Sequence, residues 1–296
     1  MSQAIPVKVV RPVVDPIALV CDSPHSGTYY PQDFDFSIEL QQLRQCEDTL
    51  IEQLWDAAPL VGATLVHATF PRSYIDPNRS EDDIDLAMLE GEWAGPVAPS
   101  QRCLELGNGL VFSQTPARQP IYSRRLHASE IKHRIESCWR PYRHALEDAL
   151  AQSSTQQGER WHLNLHSMPS NAYVRLGLPD RPLADIVLGN LHGASCNPAF
   201  ADFVGEEFRR QGYTVALNDP YAGQDLVRTF GRPAQGQHSL QIEINRALYL
   251  DEKTREPKRQ FPELRKRIHL VLQAVAGYIR EEVSQSKRHF NIKDTA

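Results

Sequence analysis

The sequence predicts an α/β fold, with a central sheet covered by helices on both faces of one domain. Two observations point there. Short apolar runs that read as strands alternate with helical patterns along the chain, the arrangement that wraps a sheet on both sides. There is also no internal repeat, low-complexity tract or break in composition across the 296 residues, a length that suits one large domain or two small ones.

The elements follow in order. Ile17 to Cys21 is the first strand, and Gly62 to Phe70 (GATLVHATF) the second. Between them, Leu40 to Ala58 carries Leu43, Cys46, Leu50, Ile51 and Leu54 at helical spacing, and Pro59 closes it. Residues 80 to 127, rich in Gly and Pro with weak periodicity, read as a long surface excursion of the kind that serves as a lid or substrate loop. The longest helical pattern starts at Ser129, read as its N-cap, and sets Ile131, Ile135, Cys138, Tyr142, Leu146 and Leu150 on one face, and Pro141 should kink or divide it. LNLH, DIVLG, TVAL and SLQIEI are the remaining strands, and Ala199 to Arg210 and Pro262 to Glu282 the remaining helices.

Composition narrows the function. Hydrophobic residues make up 41% and charged residues 23%, which fits a folded globular protein. The net charge of -5, with Lys and Arg scattered, argues against a nucleic-acid partner. No run of about 18 apolar residues spans a bilayer, and the start MSQAIPVKVV lacks the apolar stretch of a signal peptide, so a cytoplasmic location is expected. The five cysteines are odd in number and form no C-x-x-C pair, against both a zinc knuckle and a disulfide framework. Cys21 sits close to His25, but its place in the apolar run IALVCDS favours an inert, packed thiol.

Four constellations carry chemistry. SPHSG (Ser23 to Gly27) follows the first strand and presents His25 at its carboxyl end, where α/β sheets bind ligands. His166 in LNLHSM stands at another strand end, so the two can converge on one crevice. A catalytic zinc takes three protein ligands and keeps one position open, and Glu47 and Asp48 are the nearest carboxylates to complete the set. Glu243 in QIEIN lies inside an apolar strand of a sheet with no solvated side, where a carboxylate is paired or catalytic and desolvation raises its pKa toward that of a useful base. In IDPNR (Ile75 to Arg79), Arg79, with Arg72 upstream and Arg228 further on, offers the planar fork that clamps carboxylates.

Rival motifs are weaker. HRIE (His133 to Glu136) and HALE (His144 to Glu147) have a His-x-x-Glu spacing but lie among Lys and Arg on the long helix, and read as exposed faces. No G-x-S-x-G elbow, P-loop or dinucleotide fingerprint is present.

SPHSG, Asp48, IDPNR, HSMPS, YAGQDLVRTFGRP and QIEIN, taken in order from Leu19 to Tyr249, resemble the N-formylglutamate amidohydrolase family, itself similar to zinc carboxypeptidases and to deacylases of acyl-amino acids. The resemblance implies a single α/β domain over residues 1–296 with a mixed, mostly parallel sheet of the phosphorylase/hydrolase-like, zinc carboxypeptidase-like kind. It implies one catalytic zinc on His25, Asp48 and His166, Glu243 as general base, and Arg228 on a second carboxylate or the oxyanion. Arg72, Asn78, Arg79, Ser167 and Gly223 are the implied substrate-binding residues. Two positions depart from the family pattern: Gln224 replaces a second glycine after Gly223, and Asn164 replaces an Asp two residues before His166.

The activity implied is zinc-dependent hydrolysis of N-formyl-L-glutamate, a small acidic N-acyl amino acid, to formate and glutamate. The alternatives are the same chemistry on another acyl-amino acid or short peptide, and a carboxylate-binding protein without turnover.

Overall fold

The computed structural model describes residues 5–156 and 158–293, so the first four residues of MSQAIPVKVV lie outside it. Its strands are β1 (Val7–Val10), β2 (Leu19–Ser23), β3 (Thr64–Ala68), β4 (Leu89–Glu90), β5 (Leu126–His127), β6 (Arg160–Met168), β7 (Ile186–Gly189), β8 (Val215–Leu217) and β9 (Gln237–Asn245). Seven of them form one sheet in the order β1-β3-β2-β6-β9-β7-β8, and β4 and β5 pair separately. The central pairings β3-β2, β2-β6 and β6-β9 are parallel, as is β7-β8, whereas β1-β3 and β9-β7 are antiparallel. The sheet is therefore mixed and mostly parallel, as the resemblance implies.

Alternation along the central strands gives the sheet two unlike faces. Leu19, Cys21, Leu163, Leu165, Leu240, Ile242 and Ile244 pack against the helices Ile51–Leu54, Pro198–Arg210 and Phe261–Lys293. The opposite face carries a buried polar stripe of Asp22, His162, Asn164, His166, Ser239, Gln241 and Glu243. The register sets His162 beside Ser239, Asn164 beside Gln241 and His166 beside Glu243. This stripe runs toward the carboxyl ends of the parallel strands, where the apolar packing stops.

Two expectations need correction, and one strand is new. The continuous helix from Leu40 to Ala58 is broken into a turn of α-helix at Leu40–Leu43, a 3-10 turn at Arg44–Cys46 and a second α-turn at Ile51–Leu54. The backbone N–H of Asp48 donates to the carbonyl of His25 at 3.0 Å and Leu50 is left-handed at φ 67°, so tertiary bonding overrides helical propensity there. The long helix begins at Ala128, with the Glu130 carboxylate accepting from the His127 N–H at 2.7 Å, and Ser129 is not its cap. Its interruption is a wider π-turn at Ile135–Trp139, directly before Pro141, where the ring removes a helical N–H. The edge strand β1, which has only β3 for a partner, was not expected at all.

Residues 80–127 fold back onto the polar face of the sheet. Ile84, Leu89, Leu110, Val111, Phe112, Ile121 and Leu126 of this segment are buried in the second core cluster, with the helix that follows. Among the described residues no helix is long and apolar enough to cross a membrane.

Candidate metal centre and its cavity

Each strand end delivers one polar group to a common point. His25 follows β2, in a turn where Gly27 packs so closely on the chain just after β3 that a Cβ would sit 2.2 Å from the carbonyl oxygen of Phe70. His166 projects from the polar face of β6, and Asp48 reaches in from the broken helix. His25, Asp48 and His166 are 1%, 1% and 3% exposed, and their ligand atoms lie within 4.8 Å of one another.

The hydrogen bonds around the two histidines fix which nitrogen is free. His25 Nε2 lies 2.6 Å from Asp76 Oδ1, while its Nδ1 lies 3.2 Å from Asp48 Oδ2. His166 Nδ1 lies 3.1 Å from the same Asp48 oxygen. Its Nε2 is 2.7 Å from Asn164 Oδ1, and Asn164 Nδ2 donates to Asp22 Oδ1 at 2.7 Å. Because the Asp22 carboxylate can only accept, the Asn164 amide is oriented with its oxygen toward His166, whose Nε2 then carries the proton. Asn78 Nδ2 stands further away, at 3.2 Å. Both rings thus turn Nδ1 toward Asp48, each held from behind by a polar partner, the arrangement that orients metal-binding imidazoles.

This donor set fits zinc. Bonds of about 2.0–2.1 Å in a tetrahedral site place neighbouring ligand atoms roughly 3.3 Å apart, close to the contacts around Asp48 Oδ2. Burial pushes the His166 imidazolium down to about 4, leaving the neutral ring that metals bind. Burial alone would raise Asp48, but hydrogen bonds from His166 and His25 and the Arg246 guanidinium hold it well below the ordinary carboxyl range. Arg246 Nη2 donates to Asp48 Oδ1 at 2.7 Å, leaving Oδ2 for the centre.

Glu243 faces the same cavity from β9, with Gln241 Nε2 donating to it at 3.0 Å. Burial, reinforced by repulsion from Asp48, pushes its carboxyl up to about 8 despite Arg72, Arg246 and Arg102 nearby. It therefore holds a proton near neutral pH in the metal-free protein, unlike Asp48 and Asp76.

The remaining expected residues divide. Arg72, Asn78, Arg79 and Ser167 border the cavity with the three ligands and Glu243. Arg72 is locked by two hydrogen bonds to Asp76 Oδ2, at 3.2 and 2.8 Å. Arg79 donates to the carbonyls of Asn108 and Asn78 and to Gln224 Oε1, so the departure at Gln224 supplies an arginine partner. The Ser167 hydroxyl accepts from Arg246 Nε at 3.0 Å. Gly223 lies just outside, at φ 121°, with its neighbours Tyr221 and Gln224 on the wall.

Glu47, the other carboxylate considered, is buried away from the centre, accepting from Tyr30 and Thr49. Arg228 is corrected outright: the helix Asp225–Phe230 buries Leu226, Val227 and Phe230 and turns Arg228 to solvent. His133 and His144 are exposed on their helix, as read. All five cysteines are buried and unpaired, and burial raises the Cys21 thiol on the opposite face of the sheet.

Sequence reasoning missed Asp76, Asp22, Arg102, Arg175, Arg246 and Tyr221. Asp76 lies inside the quoted IDPNR, and Arg246 directly follows QIEIN, so proximity to a motif was the available signal. Arg102 and Arg175 had none.

Comparison with known proteins agrees with this geometry. The family model described as N-formylglutamate amidohydrolase matches residues 17–250. An N-formylglutamate deformylase of Pseudomonas putida is 30% identical over 241 residues, covering 80% of this chain and 83% of its own. Its counterpart from Pseudomonas aeruginosa is 27% identical over the same coverage. A crystal structure of N-formylglutamate amidohydrolase from Ralstonia eutropha superposes with a TM-score of 0.92 at 48% identity, covering 94% of this chain and 100% of that one. A gene product of Agrobacterium tumefaciens, 15% identical with a TM-score of 0.67 over 95% and 97% of the chains, shares the fold.

Proposed function

The chain belongs to the N-formylglutamate amidohydrolase family, and from that premise we propose that it is a zinc-dependent enzyme that hydrolyses N-formyl-L-glutamate to formate and L-glutamate. His25, Asp48 and His166 would hold the metal through Nδ1, a carboxylate oxygen and Nδ1. One observation carries the reading: this buried ligand set shares a single arginine-lined cavity with a carboxyl group that burial has made basic.

When bound, zinc supplies a Lewis acid that polarises the formyl carbonyl and acidifies water. The chain's own residues do the rest. Glu243 takes one proton from the attacking water and delivers it to the glutamate nitrogen as the C–N bond breaks, the work of a base with a pKa near the operating pH. Arg72 Nη1, not used in the bonds to Asp76 and 4.0 Å from Asp48 Oδ2, would stabilise the developing oxyanion. Arg79, whose Nη2 has no partner among its hydrogen bonds, takes the α-carboxylate beside Asn78. Ser167 holds Arg246 on Asp48 and so keeps the third ligand in place. The substrate is small and acidic, and no nucleic acid or membrane enters the reaction.

Formate release from N-formyl-L-glutamate, run beside N-acetyl-L-glutamate and a short peptide with a C-terminal glutamate, tests the reading. The formyl substrate should turn over fastest. Preference for the acetyl or peptide substrate would assign the same site to a deacylase or a carboxypeptidase. Tight binding of all three without turnover would make it a carboxylate-binding protein.

A further inference from the structure

Six arginines border the cavity: Arg72, Arg79, Arg102, Arg118, Arg175 and Arg246. Four are committed within the protein. Arg72 is bonded to Asp76, Arg246 to Asp48 and Ser167, Arg79 to two backbone carbonyls and Gln224, and Arg118 to the carbonyl of Glu105. Arg102 and Arg175 have neither an ion pair nor a side-chain hydrogen bond among the described residues.

Of these two, Arg102 is the more deficient. Its Nε is buried with no hydrogen-bond partner, a state that costs free energy until something accepts the bond. Burial lowers its pKa, and the next largest influence is repulsion from Arg72. Asp76 and Glu243, the carboxyl groups that also act on it, form neither an ion pair nor a hydrogen bond with it. Arg175 has the carboxylate of Glu252 among its neighbours.

Arg102 is also held rigidly. It sits on the short helix Gln101–Leu106, whose capping Ser100 Oγ accepts from the Cys103 N–H at 3.1 Å. Ser100 is itself anchored by its N–H to Asp83 Oδ1 at 2.7 Å. Behind the helix, a Cβ on Gly109 would meet Cys103 Sγ at 2.4 Å and the Asp83 carbonyl at 2.5 Å, so the segment packs against the helix too closely for a side chain.

An orphaned Nε beside an uncommitted terminal nitrogen is the side-on edge of the guanidinium, which two parallel hydrogen bonds match to a carboxylate. We propose that Arg102 reads the side-chain carboxylate of the substrate and is the residue that selects a dicarboxylic acyl-amino acid over its amide. The proposal rests on the functional reading above, in which Arg79 takes the α-carboxylate.

The experiment compares kcat/KM for N-formyl-L-glutamate and N-formyl-L-glutamine in the wild-type enzyme, Arg102→Met, Arg102→Lys and Arg175→Met. Wild type should favour the acid on the order of 100-fold, the scale of charge-assisted bonds to a desolvated group. Arg102→Met should bring that ratio to within a few-fold, by raising KM for the acid while leaving turnover of the glutamine substrate intact. Arg102→Lys should restore part of it, and Arg175→Met should keep it. An unchanged ratio in Arg102→Met, or a collapse in Arg175→Met alone, overturns the proposal. Binding separates it from the reaction: glutarate, but not pentanoate, should raise the melting temperature of wild type and not of Arg102→Met. If wild type releases no formate yet shows that pattern, the deformylase reading fails and the role of Arg102 stands. If glutarate stabilises both proteins equally, the proposal falls whatever the enzyme turns over.

Discussion

The strand ends and the loop-built wall opposite them border the same cavity but hold their charges in different ways. At the ends of β2, β3, β6 and β9 the ionic groups are answered by protein: His25 by Asp76, His166 by Asn164, Asp48 by Arg246, Asp76 by Arg72. On the wall, Arg102 and Arg175 form no ion pair and no side-chain hydrogen bond among the described residues, and Arg102 Nε is left without a partner. A rigid sheet edge can assemble a complete constellation because its registers are fixed by backbone pairing. The wall is left incomplete, with charge that a ligand must satisfy. On the proposed reading the first region serves the metal and the proton, and the second the substrate.

If that division is right, damage at the sheet edge should reach metal or kcat, and damage on the wall should reach KM. The largest effect expected is from Glu243→Gln, which keeps shape but cannot accept a proton. Its kcat should fall about 10²–10⁴-fold, the usual worth of a positioned base, with zinc content and KM near wild type. Metal loss would turn Glu243 into a ligand and blur the division.

The same variant has a second readout in the metal-free protein. The Glu243 carboxyl is raised from 4.5 to about 8 on folding, so between those values the folded state holds a proton that the unfolded state has lost. Its contribution to stability is complete below pH 4.5 and declines as pH rises toward 8. The melting temperature of metal-free wild type should therefore slope downward across that window, and Glu243→Gln should remove this part of the slope. An identical slope in both would place the proton elsewhere.

A smaller effect is expected one layer deeper. Asp22 accepts from Asn164, from His162 Nε2 at 2.7 Å and from the Tyr142 hydroxyl at 2.6 Å, and so fixes the amide that holds His166. Asp22→Asn should weaken zinc affinity about 10–100-fold, the range for partners behind a ligand, measured by competition with a chelating dye. Adding Asn164→Asp should restore it, because a carboxylate then faces His166 directly. Unchanged affinity in a folded Asp22→Asn protein would show that the histidine needs no such support.

The same contrast explains what the sequence revealed. His25, His166 and Glu243 were legible because each sits in a short motif at or inside an apolar strand, where a polar residue is conspicuous, whereas Asp48 stood out only as one of two carboxylates near His25, chosen over Glu47 by the resemblance. The strands themselves followed from apolar runs, except β1, a four-residue edge strand whose pairing depends on β3 far along the chain. The wall was illegible because Arg102 and Arg175, on two separate short helices, and Tyr221, in a loop, meet only through the fold. Arg228 misled for a local reason, since nothing in YAGQDLVRTFGRP tells which side of a six-residue helix faces the cavity. The broken helix at Asp48 misled likewise: its apolar spacing is helical, and only the bond to His25 pulls it apart.

The central claim is that one zinc, held at the sheet edge, is required for the hydrolysis of N-formyl-L-glutamate. Stripping the protein with a chelator and titrating zinc back while following formate release tests it in a single curve. The account predicts negligible release from the stripped protein, then a linear rise that breaks at about one equivalent of zinc per chain, the count for three protein ligands and one open position. Full activity in the stripped protein, or a rise that passes one equivalent without a break, would contradict it.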